Sequence, residues 1–204
     1  MTTLHLIRHG ETDWNAEGRI QGQMESVLSE LGKQQAQELQ VKLQSLDFDQ
    51  VFCSSSTRAR QTAELALSHI DQPFTYLDSL KEIYLARWEG QLYKDIEVSD
   101  PQASHAFRQE PHTFDVSGAE TFANLQRRAL DAIVQIIDQC RGKEVVIVSH
   151  GAWIKSVLCH YEGRALSQFW EPPRMHNCCH SIIKISANGD DAKIVRYADL
   201  DEGF

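Results

Sequence analysis

The chain has 204 residues, 42% of them hydrophobic and 24% charged, with a formal net charge of -9 from 29 acidic and 20 basic side chains. This is the size and composition of a single domain able to bury a full core without metal or disulfides, and the acidic balance argues against nucleic acid or anionic lipid as partners. No apolar run reaches membrane-spanning length and no basic-then-apolar leader opens the sequence, so a soluble, cytoplasmic protein is expected.

In chain order, Leu4-His5-Leu6-Ile7 is an apolar run that stops at Arg8-His9-Gly10. It reads as a buried strand carrying charged groups to its C-terminal tip, the edge at which open α/β sheets bind ligands. Arg8 offers a planar fork of donors, His9 a neutral ring nitrogen and Gly10 close approach of the backbone, a set suited to phosphate. Alone, the tripeptide fits a solvated strand end equally well. Residues 13–23, rich in glycine and amides, read as a loop at that tip, where Asn15 and Gln21 can donate amide hydrogens to an anion. Ser29 reads as the N-cap of a scaffold helix with Leu31, Ala36, Leu39, Leu43 and Leu46 near one face.

The next unit repeats the pattern. Gln50 to Ser55 is a short apolar run ending in serines, and a helix beginning at Ser56 puts Arg58 in its first turn, where free backbone N–H groups already favour an anion; Arg60 is expected on a solvated face. Phe74 to Leu77 is a third strand, followed by residues 80–90, which follow neither period and contain Glu82, by itself as consistent with a surface charge as with an acid. Residues 91–117, with Pro101 and Pro111, read as short helices and loops capping the site. A long core helix with Phe122, Leu125, Ala129, Ile133, Ile136, Ile137 and Cys140 on one side ends at Gly142.

Glu144 to Ser149 is an unbroken β-branched run that stops at His150-Gly151, a second strand delivering His-Gly at its tip. A helix over 152–160 follows, then closing strands over Cys178–Ile185 and Lys193–Tyr197 around an Asn188-Gly189 turn. His176, Cys178 and His180 alternate along the first of these, but zinc needs four convergent ligands and the sequence offers no partner cluster, so neither metal nor cofactor is assigned. The cysteines, Cys53, Cys140, Cys159, Cys178 and Cys179, are odd in number and scattered, which points to buried thiols in a reducing compartment.

Taken together, Arg8-His9-Gly10-Glu11-Thr12, Asn15, Gln21-Gly22, Ser55 with Arg58-Ala59, Glu82 with Trp88-Glu89-Gly90, and Ser149-His150-Gly151 resemble the histidine phosphatase superfamily, which includes the cofactor-dependent phosphoglycerate mutases. The resemblance spans residues 4–151 and implies a three-layer α/β sandwich around a mixed, mainly parallel sheet, with the whole of 1–204 as one domain. It implies His9 as nucleophile, Arg8, Arg58 and His150 as phosphate holders, Glu82 as acid and base, and Asn15, Gln21, Gly22 and Gly151 as further contacts. The same chemistry follows from the residue types: a phosphohistidine splits one displacement into two, and the cations do the work of charge stabilisation without metal.

The expected reaction is hydrolysis of a small phosphorylated metabolite, with α-ribazole 5'-phosphate one named candidate. The alternatives are a mutase and a silent module that only binds phosphorylated ligands. Mutase relatives carry an arginine pair and a lysine in a long insertion between the acid and the second histidine; here that segment is short and Arg127-Arg128 falls in the core helix, which favours a phosphatase. Relatives also carry glycine where Ala86 stands, aspartate at Glu25 and proline at Val27, differences of loop shape. A monomer and a homodimer both stay open.

Overall fold

The computed structural model describes residues 1–186 and 191–201. The described strands β1 (Thr2–Arg8), β2 (Gln50–Ser54), β3 (Thr75–Leu77), β4 (Glu144–Ser149), β5 (His180–Ile185), β6 (Ala192–Tyr197) and β7 (Leu200–Asp201) form one sheet in the order β3-β2-β4-β1-β5-β6-β7. The pairs β3–β2, β2–β4 and β4–β1 are parallel, and β5, β6 and β7 continue the sheet antiparallel. The helices are α1 (Asp13–Glu17), α2 (Glu30–Leu43), α3 (Thr57–Ala66), α4 (Tyr93–Ser99), α5 (Pro101–Gln109), α6 (Phe122–Gln139) and α7 (Gly151–Glu162).

The layers follow from the strand sequences. Leu4, Leu6, Val145 and Ile147 turn one way into a core with α6 and α7, while Ile7, Val146, Val148, Val51 and Cys53 turn the other way into a core with α2 and α3. A strand covered on both faces needs no polar alternation, which is why β1 and β4 are unbroken apolar runs. Because β1, β2 and β4 are parallel, their C-terminal ends share one edge: Arg8 pairs in register with Ser149, and Cys53 with Val148. The residues just beyond those ends, His9, Ser55 and His150, are thereby gathered at one place.

Several expected boundaries move. Leu31 is 49% exposed and Leu46 37%, so the buried face of α2 runs through Gly32, Ala36, Leu39 and Leu43 instead. Gly32 takes the place of Leu31 because its backbone packs directly on the residue 10–11 turn. The third strand begins at Thr75 rather than Phe74, α6 stops at Gln139 with Cys140 as its C-cap, before Gly142 (φ +76°), and α7 already starts at Gly151. The closing strand starts at His180: Cys178 has φ +55°, outside any strand conformation, so His176, Cys178 and His180 do not alternate along one face. The Asn188-Gly189 turn lies outside the described residues. The second closing strand runs from Ala192 to Tyr197. Residues 91–117 form α4, α5 and a 3-10 turn at Pro111–Thr113, and they pack Phe107 and Phe114 against Trp88 and Phe122. All five cysteines are free and buried, and no described helix is long and apolar enough to cross a membrane.

Candidate active site

At the shared strand edge lies a cavity of about 440 Å³. Arg8, His9, Asn15, Gln21, Gly22, Arg58, Glu82 and Gly151 all line it. His150 sits directly behind, its ring centroid 5.2 Å from that of His9 at an interplanar angle of 62°. Every site residue expected from the sequence is therefore at or against one cavity.

His9 is oriented by its own neighbour. Its Nδ1 lies 2.7 Å from the carbonyl oxygen of Gly10; a carbonyl only accepts, so Nδ1 carries the hydrogen and Nε2 bears the lone pair. Burial, then the nearby Arg58 and Arg8 charges, hold the imidazole well below the usual histidine pKa, so it is neutral at physiological pH. Gly10 is fixed in turn by its N–H donating to Thr62 Oγ1 at 3.0 Å and by backbone contact with α2, where a Cβ at Gly10 would lie 2.6 Å from the Gly32 oxygen.

The arginines are anchored through main-chain carbonyls. Arg58 is 1% exposed and donates to Gly22 O at 2.7 Å and Met24 O at 2.9 Å, shaping the 19–25 loop; burial lowers its pKa to about 10, which leaves it charged at neutrality. Arg8 donates to the Met175 carbonyl and lies across Gly151, where a Cβ would come 3.3 Å from Arg8 Nε. His150 Nε2 meets Ser54 Oγ at 2.8 Å, and burial together with Arg58 keeps this ring neutral as well. Arg8 Nε, Arg58 Nε and His150 Nδ1 are buried without a hydrogen-bond partner among the described residues.

Glu82 is held by the chain end of α7. Its carboxylate accepts from the backbone N–H groups of Ile83 (3.0 Å), Ala152 (3.0 Å) and Trp153 (3.1 Å), so it occupies the helix N-terminus. The loop that carries it is pinned from below by Arg128, which donates to Ser79 O, Lys81 O and Glu82 O at 2.9, 2.8 and 3.2 Å while paired with Glu120. Gln21 and Asn15 turn their carbonyl oxygens to the loop itself: Gln21 accepts from Thr12 and Ser26, and Asn15 accepts from the Thr12 N–H and from Asn177. Both side chains thus buttress the loop through their oxygens.

Sequence reasoning missed the segment 170–177, which closes the far wall. Trp170, Pro173, Arg174 and Met175 line the cavity, as does Lys155 of α7, which is 2% exposed and donates to Glu171 O at 2.7 Å and Pro173 O at 2.8 Å. Asn177 donates to the His9 carbonyl at 3.2 Å. The available signal was Lys155, a lone charge in the apolar stretch Ala152–Leu158.

A doubly wound sheet that brings a neutral, lone-pair-bearing histidine, a buried arginine and a half-buried one to one cavity at its carboxyl edge defines an anion site suited to phosphoryl groups. The chain belongs to the histidine phosphatase superfamily (branch 1), whose profile matches residues 4–199; the match takes in the 170–177 wall, beyond the 4–151 that the motifs alone suggest. It is 34% identical to a metal-independent phosphoserine phosphatase of Arabidopsis thaliana over 77% of this chain and 67% of that protein. It is 29% identical to the adenosylcobalamin/alpha-ribazole phosphatase of Escherichia coli over 90% of each. Among solved structures, Bacillus stearothermophilus YhfR superposes with a TM-score of 0.94 at 36% identity, covering 98% of both chains.

Proposed function

We propose that this protein is a metal-independent phosphomonoesterase that hydrolyses a small phosphorylated metabolite through phospho-His9. The observation that carries this reading is the His9–Gly10 hydrogen bond, which leaves Nε2 as the free nitrogen of a neutral ring. Nε2 attacks phosphorus, the ester P–O bond breaks, and Glu82 gives its proton to the departing oxygen. Water then attacks the phosphohistidine with Glu82 taking its proton, and His9 leaves. Arg8, Arg58 and His150 stabilise the equatorial oxygens in both steps.

Hydrolysis rather than mutase chemistry is supported by where the cations of the 82–150 segment are spent. Arg128 is committed to Glu120 and to three loop carbonyls, and Arg108 is paired with Glu97 at 2.8 Å. Neither of these two arginines is left free to hold a reoriented bisphosphate away from water. The metabolite reading draws on the relatives named above, and α-ribazole 5'-phosphate and phosphoserine are the first substrates to test.

The decisive experiment is rapid quench with a ³²P-labelled aryl phosphate. Acid-labile, base-stable label on the wild type, absent from His9→Ala, is expected, with turnover reduced by ~10³-fold or more in the variant. Activity that vanishes in chelator, or survives in His9→Ala, refutes the reading. Phosphate binding without label or turnover would leave a binding module, and conversion of 3-phosphoglycerate to 2-phosphoglycerate outrunning phosphate release would make it a mutase.

A further inference from the structure

The wall segment 171–175 is clamped by cations through its main chain. Glu171 O accepts from both Lys155 (2.7 Å) and Arg164 (2.8 Å), Pro172 O from Arg164 (2.9 Å), Pro173 O from Lys155 (2.8 Å), and Met175 O from Arg8. Just before it, Trp170 Nε1 donates to Phe107 O in the cap at 2.6 Å. Arg174 is therefore presented from a backbone fixed on both sides, and it is one of the residues that line the cavity. Two prolines immediately before it further reduce the freedom of the segment.

The other cavity cations have partners. Arg58 holds the 19–25 loop, Arg8 holds Met175, Arg108 is paired with Glu97 and lies over the Tyr93 ring, and Lys155 is spent on the wall itself. The Arg174 carbonyl accepts from the His176 N–H at 3.2 Å, but its side chain has no hydrogen bond or ion pair to any described residue. Arg174 stands in a protein of net charge -9, at a cavity whose lining holds, among the described residues, a single acidic one, Glu82. A rigidly carried, unneutralised planar cation suits a planar anion, for which it offers paired donors.

We propose that Arg174 is a specificity-determining residue that binds a second anionic group, of the carboxylate class, on the leaving group of the phosphomonoester. This rests on the phosphatase reading above and names the kind of substrate it acts on: an ester with phosphate at one end, seated at His9, and a carboxylate at the other, with apolar atoms between them against Trp170 and Phe107. Arg174 touches the leaving group and takes no part in breaking the P–O bond, so it acts on KM.

The test compares two phosphates of equal size that differ in one charge, 4-carboxyphenyl phosphate and its neutral 4-carbamoylphenyl counterpart. Wild type should favour the carboxylate in kcat/KM by about fivefold, the scale of one accessible charge-assisted pair, with the difference in KM. Arg174→Gln should bring the ratio close to one, and Arg174→Lys should restore part of it. Calorimetry with the two corresponding benzylphosphonates, on wild type and Arg174→Gln, reads the same preference without turnover. A binding preference that disappears in Arg174→Gln sustains the proposal even if neither ester is hydrolysed, a result that would defeat only the phosphatase reading. Equal binding of both phosphonates by wild type, or an unchanged ratio in Arg174→Gln, overturns it.

Discussion

At the scale of single residues, the site works by fixing which nitrogen of His9 is free. A carbonyl fixes the His9 tautomer, and burial beside two guanidinium groups removes its tendency to take up a proton. Imidazole nitrogen NMR should accordingly show His9 neutral at physiological pH and titrating well below the usual histidine range; a titration midpoint between 6 and 7 would contradict the neutral-nucleophile geometry. His150 leans on Ser54, a residue the strand-tip pattern supplies without naming its role. Ser54→Ala should lower kcat by ~10-fold, as one hydrogen bond orienting a transition-state contact is lost, with KM changed less; equal loss in KM would point to a ground-state role. His9, Arg8, Arg58 and His150 were legible as candidates because strand tips and a helix start announce themselves in side-chain types, whereas Glu82, in a stretch that follows neither period, was reached only through the family resemblance. The wall was not: Met175, Glu171 and Pro173 act through carbonyl oxygens, which every residue carries, so their identities reveal nothing.

At the scale of elements, the site depends on close packing between turns. Gly32, in the first turn of α2, lies so near the 10–11 turn that a Cβ there would sit 1.9 Å from Glu11 O. Gly32→Ala must push the helix away from the strand tip. A loss of ~1–3 kcal/mol in urea unfolding is expected, the usual range for overpacking, together with a fall in kcat/KM because the same turn carries His9. Unchanged stability would mean that the helix yields freely and does not hold the turn. Ala86 is the opposite case. It has φ +47°, a conformation costly for any residue with a Cβ. Ala86→Gly should therefore be neutral or raise stability by up to ~1 kcal/mol in the same assay, and a clear destabilisation would show that the methyl group contributes packing that outweighs the strain. The parallel centre of the sheet was readable from β-branched runs, whereas the start of β5 was misplaced because a positive φ at Cys178 leaves no mark on the hydrophobic pattern.

At the scale of the whole molecule, neutral histidines are buried across the sheet, and they tie its stability to pH. His5 Nε2 meets the Glu144 carboxylate at 2.9 Å, so that nitrogen carries the hydrogen and His5 Nδ1 must accept from His180 Nε2, also at 2.9 Å. Between two nitrogens at that distance there is room for one hydrogen, so a proton added at His5 Nδ1 forces the His180 ring to give up its Nε2 hydrogen. Burial lowers the pKa of His5, and takes that of His180 down to about 3; His9 and His150 are lowered in the same direction by burial and the arginines. A base whose folded pKa lies below its unfolded value near 6.5 binds fewer protons when folded. Its contribution to stability is complete above pH 6.5 and is lost as pH falls toward the folded pKa. For His180 alone the loss between pH 6.5 and about 3 is on the order of 4 kcal/mol, a large part of an ordinary domain's stability. Urea midpoints should hence fall steadily from pH 7 to pH 4. The slope should be shallower in His180→Gln, whose amide can still donate to His5 Nδ1 but does not titrate. A midpoint independent of pH between 7 and 5 in the wild type, or an equal slope in the variant, would place these rings in contact with water in the folded protein and so contradict the buried pair at the centre of the sheet.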